Sequence, residues 1–194
     1  MSSRFCSVIG ILTVVQLLLV AHSSAQDADN VKEFGAVISK AGTVRNKSAL
    51  FIGGQGGWNF DRSFAVGIGG YMMLNNIVAR VPDSLGNHDL TLSYGGVTLD
   101  YLVPIGESFY AVVQMLIGGG AIGHKETRYL DRRQYHDPFF IVEPGITIDM
   151  AISKIFRIGI GASYRGTAWL KSDLATQSEL NSFSGNLSLK AGFF

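Results

Sequence analysis

The chain has 194 residues, with 16 Lys and Arg against 15 Asp and Glu, 24 glycines, four prolines and one cysteine. That length suits one domain, and the near-zero net charge gives no electrostatic footprint for nucleic acid as a partner. A single cysteine excludes both a disulfide framework and a multi-thiolate metal site.

At the N-terminus, Arg4 precedes an apolar run, Val8 to Val15 and Leu17 to Ala21, interrupted by Gln16. Ser23-Ser24-Ala25 then places small residues at the −3 and −1 positions of a cut before Gln26. This order predicts a secretory signal peptide over residues 1–25 and a mature domain over 26–194. The run is shorter than the roughly 20 apolar residues of a spanning helix, which favours cleavage over anchoring. Cys6 lies in the predicted leader, and no cysteine follows the cut, so a lipid-anchored lipoprotein is not expected.

Beyond the leader the pattern has period two, the signature of strands with two unlike faces. Leu50, Ile52, Gly54, Gly56, Trp58 and Phe60 share one face, while Phe51, Gly53, Gln55, Gly57 and Asn59 share the other. After a turn at Asp61-Arg62, Phe64, Val66, Ile68, Gly70 and Met72 point one way. Val97, Leu99 and Tyr101 oppose Thr98 and Asp100; Phe109, Ala111, Val113, Met115 and Ile117 oppose Tyr110, Val112, Gln114 and Leu116. Val142, Ile146, Ile148 and Met150 oppose Glu143, Thr147 and Asp149, with Pro144 predicting a local bulge because it lacks a ladder donor. The strictest alternation sets Phe156, Ile158, Ile160, Ala162 and Tyr164 against Arg157, Gly159, Gly161, Ser163 and Arg165. Last, Leu187, Leu189, Ala191 and Phe193 oppose Asn186, Ser188, Lys190 and Gly192.

The connections sort by length. Short turns fall at Asp61-Arg62, Pro104 to Ser108 and Ser153-Lys154, and long polar loops at Asn75 to His88, His124 to Asp137 and Leu170 to Asn181. Short periplasmic turns alternating with longer extracellular loops are the pattern of outer-membrane barrels, whose strands number evenly. Seven strands are read directly; parity requires an eighth at the front, supplied by Val31 to Lys40 with a loop near Ala41 to Lys47. The expected fold is all-β, an eight-stranded antiparallel up-and-down transmembrane β-barrel. Trp58, Phe60, Phe64, Tyr101, Phe109, Tyr110, Phe156 and Phe193 fall near the predicted periplasmic edge, where amphipathic rings suit the headgroup level.

With these features the chain resembles the small outer-membrane barrels of the OmpX/Ail and OmpA-transmembrane type of Gram-negative bacteria. Leu187 to Phe194 looks like the C-terminal signal read by the barrel-assembly machinery, with Phe193 at the usual terminal aromatic position and Phe194 beyond it. Glu143-Pro144-Gly145 and Gly161 to Arg165 are similar to phrases in uncharacterised barrels of the Bacteroidota. The resemblance implies outer-membrane lipid and lipopolysaccharide as surroundings, a monomeric state and no cofactor, and it supplies no activity.

Gly118 to Gly123 fits G-x-G-x-x-G, but a nucleotide site needs a strand entering a helix, and here the glycines end an alternating strand before a charged loop. His88, His124 and His136 fall in predicted loops without zinc-motif spacing, and they read as solvated side chains. Lipid A-modifying barrels are the specific enzymatic rival; the deacylases among them resemble this chain in size, but their His-x-Ser pairing is absent. No catalytic residue and no metal ligand is assigned. The inward set Asp100, Glu143, Asp149, Arg157, Arg165 and Lys190 holds three charges of each sign, and a lumen of eight strands is filled by side chains. These charges are expected to pair as a structural plug, Glu143 with inward arginines; an ion path is the alternative. Lys125, Arg128, Arg132 and Arg133 are the candidate contacts to lipopolysaccharide phosphates; Glu126, Asp131 and Asp137 nearly cancel the loop's charge, and a merely soluble loop is the alternative.

Overall fold

The structure is a computed structural model, and it describes residues 31–60, 63–75, 77–79, 88–125, 136–170, 172 and 175–192. The predicted leader, the turn at Asp61-Arg62, the centres of two long loops and Phe193-Phe194 lie outside the described residues. In chain order the elements are β1 (Val31–Val44), β2 (Lys47–Phe60), β3 (Phe64–Met73), β4 (Ile77–Ala79), β5 (His88–Pro104), β6 (Phe109–Lys125), β7 (His136–Ala151), β8 (Phe156–Ala168), α1 (Gln177–Leu180) and β9 (Ser182–Gly192). Among the described residues, no helix is long and apolar enough to cross a membrane.

Eight strands close a barrel. Each long strand is antiparallel to the next, β3 passes directly to β5, and β1 pairs with both β2 and β9. The short β4 lengthens the sheet by pairing with the start of β5. Closure leaves no open sheet edge around the barrel wall, so every wall strand has a neighbour on both sides.

Three expectations need correction. The first strand runs to Val44 rather than Lys40, and the loop after it shrinks to the two residues Arg45 and Asn46. Their φ values of 52° and 59° give the left-handed pair that matches the twist of a tight hairpin. Pro144 makes no bulge: it stands opposite Met115, and the pairing of β7 to β8 keeps the same register from Val142–Gly166 to Gly145–Ser163. Its exposed ring points outward and its missing N–H removes a ladder bond without shifting the strand. The connection after β8 is not wholly irregular, since α1 forms there. Thr176 and Glu179 close a reciprocal capping box over that helix's first turn.

The two faces of the wall differ as period two demands. Outward side chains such as Ile68 (72 % exposed) and Ile160 (67 %) are among the most exposed aliphatic groups. Leu50, Val97, Val113, Ile146, Leu187 and Leu189 are exposed around the circumference as well. An apolar band on this scale has no stable contact with water and fits a hydrocarbon solvent. Trp58, Phe60, Phe64, Tyr101, Phe109 and Phe156 also face outward, near the terminal end, where β1 begins and β9 ends. Tyr110 does not belong with them; it turns inward and packs beside Phe34, Ala65, Leu102 and Val112.

The interior is layered. That small apolar group occupies part of the terminal end, and a larger apolar cluster, including Val44, Phe51, Leu90, Tyr94, Ile122 and Leu180, fills the distal half. Polar and charged side chains lie between and beside them.

Candidate functional site

The charged lumen is built by inward positions on five strands. β5 supplies Asp100, β7 supplies Glu143 and Asp149, β8 supplies Arg157 and Arg165, and β9 supplies Lys190. β1 adds Lys40, which sequence reasoning missed. None of the seven is more than 6 % exposed.

Lys40 Nζ lies 2.6 Å from Glu143 Oε1, which also accepts a 2.6 Å bond from Ser163 Oγ. In the sheet β1 and β7 are separated by β9 and β8, so this pair spans the lumen. The same ammonium sits 3.4 Å from the centre of the Tyr71 ring and 5.6 Å from that of Tyr94, where the aromatic faces favour a cation. Lys190 Nζ meets Asp149 Oδ2 at 2.8 Å, and Thr147 Oγ1 donates to the other carboxylate oxygen at 3.1 Å. Asp100 accepts from Gln55 Nε2 at 2.7 Å. Buried charges cost several kcal/mol each unless paired in this way.

The two arginines are used differently. The Arg157 guanidinium lies 3.8 Å over the Tyr110 ring. Arg165 donates from Nε to Leu180 O (2.8 Å) and from Nη2 to Thr43 O (2.8 Å) and Ser182 Oγ (3.1 Å). It therefore ties β8 to β1, to α1 and to the start of β9, while Glu143 is held by Lys40 and not by the inward arginines expected for it. Above Arg165, Arg45 N donates to Glu179 O at 2.8 Å, and Thr167 donates from both N and Oγ1 to Asn181 Oδ1. Together these bonds seat α1 over the distal end of the barrel, with Leu180 completely buried in the apolar cluster.

Lys40 escaped notice because the inward positions just before it, Phe34, Ala36 and Ile38, are apolar, while polar Ser39 and Thr43 stand on the outward face. Period two then shows no polar lumen face on which to place it. Its acid partner lies 103 residues away, beyond any local pattern. Of the other residues singled out, His88, His124, Lys125 and His136 stand at strand ends, and their side chains lie outside the described set, as do Arg128, Arg132 and Arg133 entirely.

A closed wall of eight up-and-down strands, apolar outside and filled inside, defines the class: a small eight-stranded outer-membrane β-barrel fold. No protein-family model matches the chain, and no curated protein matches it. Among solved structures it is similar to Neisserial surface protein A, with a TM-score of 0.59 at 10 % identity over 87 % of this chain and 99 % of that one. The N-terminal β-barrel domain of Pseudomonas aeruginosa OprF gives 0.51 at 10 % identity, over 86 % of this chain and all of that domain. Ail, the attachment invasion locus protein of Yersinia pestis, in complex with the heparin analogue sucrose octasulfate, gives 0.51 at 13 % identity, over 86 % and 99 %. At these identities the likeness is one of fold.

Proposed function

We propose that the mature chain is an exported, monomeric, integral outer-membrane barrel with a structural or surface-interaction role and no catalytic activity. The observation that carries this reading is a lumen filled by cross-strand ion pairs inside a wall whose outer face is apolar. A polar cavity among the described lumen residues is about 20 Å³, while one water needs roughly 10–15 Å³, and a space of that size suits a plug better than a conduit. In this reading the terminal end faces the periplasm and the end closed by α1 faces outward. The C-terminal strand β9 presents the assembly signal, and Lys125, Arg128, Arg132 and Arg133 contact lipopolysaccharide phosphates. The missing His-x-Ser pairing counts against the lipid A-modifying alternative.

The test combines location, depth and conductance. The mature protein should fractionate with outer membranes and show heat-modifiable gel mobility. The chain has two tryptophans, Trp58 near the terminal end and Trp169 just past the distal end of β8, half to three-quarters exposed. In single-tryptophan variants both should be quenched best by lipids brominated close to the headgroup. Planar bilayers should show conductance near background. Recovery as a soluble periplasmic protein, or selective single-channel steps, overturns the proposal.

A further inference from the structure

The cavity of about 20 Å³ lies in the polar layer, against Lys40, Gln55, Asp100, Gln114, Glu143 and Ser163. Two carboxylates from different strands, Asp100 on β5 and Glu143 on β7, line it, at 4 % and 3 % exposure. One oxygen of each is committed: Asp100 Oδ2 to Gln55, and Glu143 Oε1 to Lys40 and Ser163. The other two, Asp100 Oδ1 and Glu143 Oε2, are buried and make no close hydrogen bond among the described residues, with Gln114 interacting with Asp100 and Tyr94 with Glu143 from nearby. A buried acceptor left without a donor carries its full desolvation cost, and ionised groups carry the most.

We propose that this cavity is a binding site for one ordered water molecule that donates its two hydrogens to Asp100 Oδ1 and Glu143 Oε2. The space fits a single water-sized occupant. The chemistry asks for a two-hydrogen donor between two acids, and water supplies it. A monovalent cation is the rival of similar size. It is disfavoured by the charges nearby: four cationic side chains (Lys40, Arg157, Arg165, Lys190) already face three carboxylates in the described lumen, and Lys40 itself lines the cavity. The water lets two like charges share one interior while Lys40 stays bonded to Glu143. The inference concerns the lumen alone and stands whether or not the barrel has the surface role given above.

A crystal structure of the mature barrel at better than about 1.8 Å, grown with rubidium chloride, decides it. The expected result is one density peak without anomalous signal, within hydrogen-bond distance of both carboxylates. An anomalous rubidium peak there makes it a cation site and overturns the proposal. Direct contact between the carboxylates with no density between them overturns it equally. In solution, Gln114→Leu fills part of the cavity, and long-lived water cross-peaks to the Gln55 side-chain amide should be present in the unmutated protein and lost in the variant. Cross-peaks absent from the unmutated protein contradict the proposal, even if the variant fails to fold.

Discussion

Lys40 and Glu143 meet at 2.6 Å across the lumen, from strands that are not neighbours in the sheet. The sheet's own hydrogen bonds fix each strand to the next, whereas this pair braces the barrel across its interior, between strands three steps apart. Removing one partner strands the other charge in the interior, at a cost of about 3–5 kcal/mol. Lys40→Met should therefore lower the urea midpoint in micelles clearly, as read by the folded-to-unfolded gel shift. Lys40→Met combined with Glu143→Leu should recover most of that loss, because apolar replacement of both partners removes the desolvation cost as well. Equal losses in the single and double variants would mean that the pair does not brace the barrel.

The glycines divide into two kinds, and stability should separate them. Gly57 faces inward, and a Cβ there would run into the backbone of Val66 and Gly67 on β3. Gly70 faces outward, and a Cβ there would meet nothing closer than Tyr94 O at 3.8 Å. Gly57→Ala is expected to destabilise by about 1–3 kcal/mol through overpacking. Gly70→Ala should be neutral or stabilising by up to about 1 kcal/mol, since it reduces the freedom of the unfolded chain. Thermal unfolding monitored by gel mobility ranks them, and the reverse order would mean that the sheet's close approach at Gly57 is not rigid.

Much of the fold is legible in the sequence, and the exceptions have physical causes. The inward phase of Asp100, Glu143, Asp149, Arg157, Arg165 and Lys190 follows from strict alternation with outward Ile, Leu and Val, which a single slip would reverse. The bulge expected at Pro144 rested on its missing donor, but register is set by the whole ladder on both sides, and β6 and β8 hold it fixed. Ala41 to Val44 read as loop because glycine and threonine flank a basic tip, whereas the tight turn needs just Arg45 and Asn46. The capping box at Thr176 and Glu179 does have a sequence signature, Thr-x-x-Glu before Leu180, but the polar loop around it and the four-residue length of the helix mask it. Which carboxylate meets which cation depends on the rotation of the closed barrel, which alternation along one strand does not encode.

The outer fastening of α1 should respond to acid. Glu179 accepts the Thr176 backbone N–H at 2.8 Å, and this bond, followed by the Thr176 hydroxyl and the Arg45 guanidinium at 3.7 Å, holds its carboxyl below the usual range. A depressed folded value means that the stabilisation is complete above the unfolded value, about 4.3, and is lost as pH falls through the folded value. Amide protection factors around Thr176 to Asn181 should thus stay constant from pH 7 to 5 and fall below the ordinary glutamate range. Glu179→Gln should flatten that dependence, because glutamine still accepts the bond and no longer titrates. A pH profile unchanged by the substitution would show that another group controls the cap.

The inner fastening should be the stronger of the two. Arg165 is 1 % exposed and spends its guanidinium on two carbonyls and one hydroxyl from three separate segments, Thr43 in β1, Leu180 in α1 and Ser182 in β9. The Phe51 ring, centred 4.8 Å from it, covers the charge on the lumen side. A planar fork reaches several acceptors at once, whereas an ammonium is a point donor on a flexible stem. Arg165→Lys should keep the charge and lose the bridging, so that proteolysis within residues 169–181 accelerates while the barrel remains folded on gels. Arg165→Met leaves the Thr43 and Leu180 carbonyls without their donor, and it should release the segment further, by an amount in the range of about 1–3 kcal/mol per orphaned buried group. Leu180 would then lose its burial, and a cysteine at that position should change from protected to reactive toward a water-soluble thiol reagent in the Met variant alone. Protection of Leu180→Cys unchanged by either substitution at Arg165 would mean that apolar burial by itself seats α1, with the guanidinium merely accommodated beneath it.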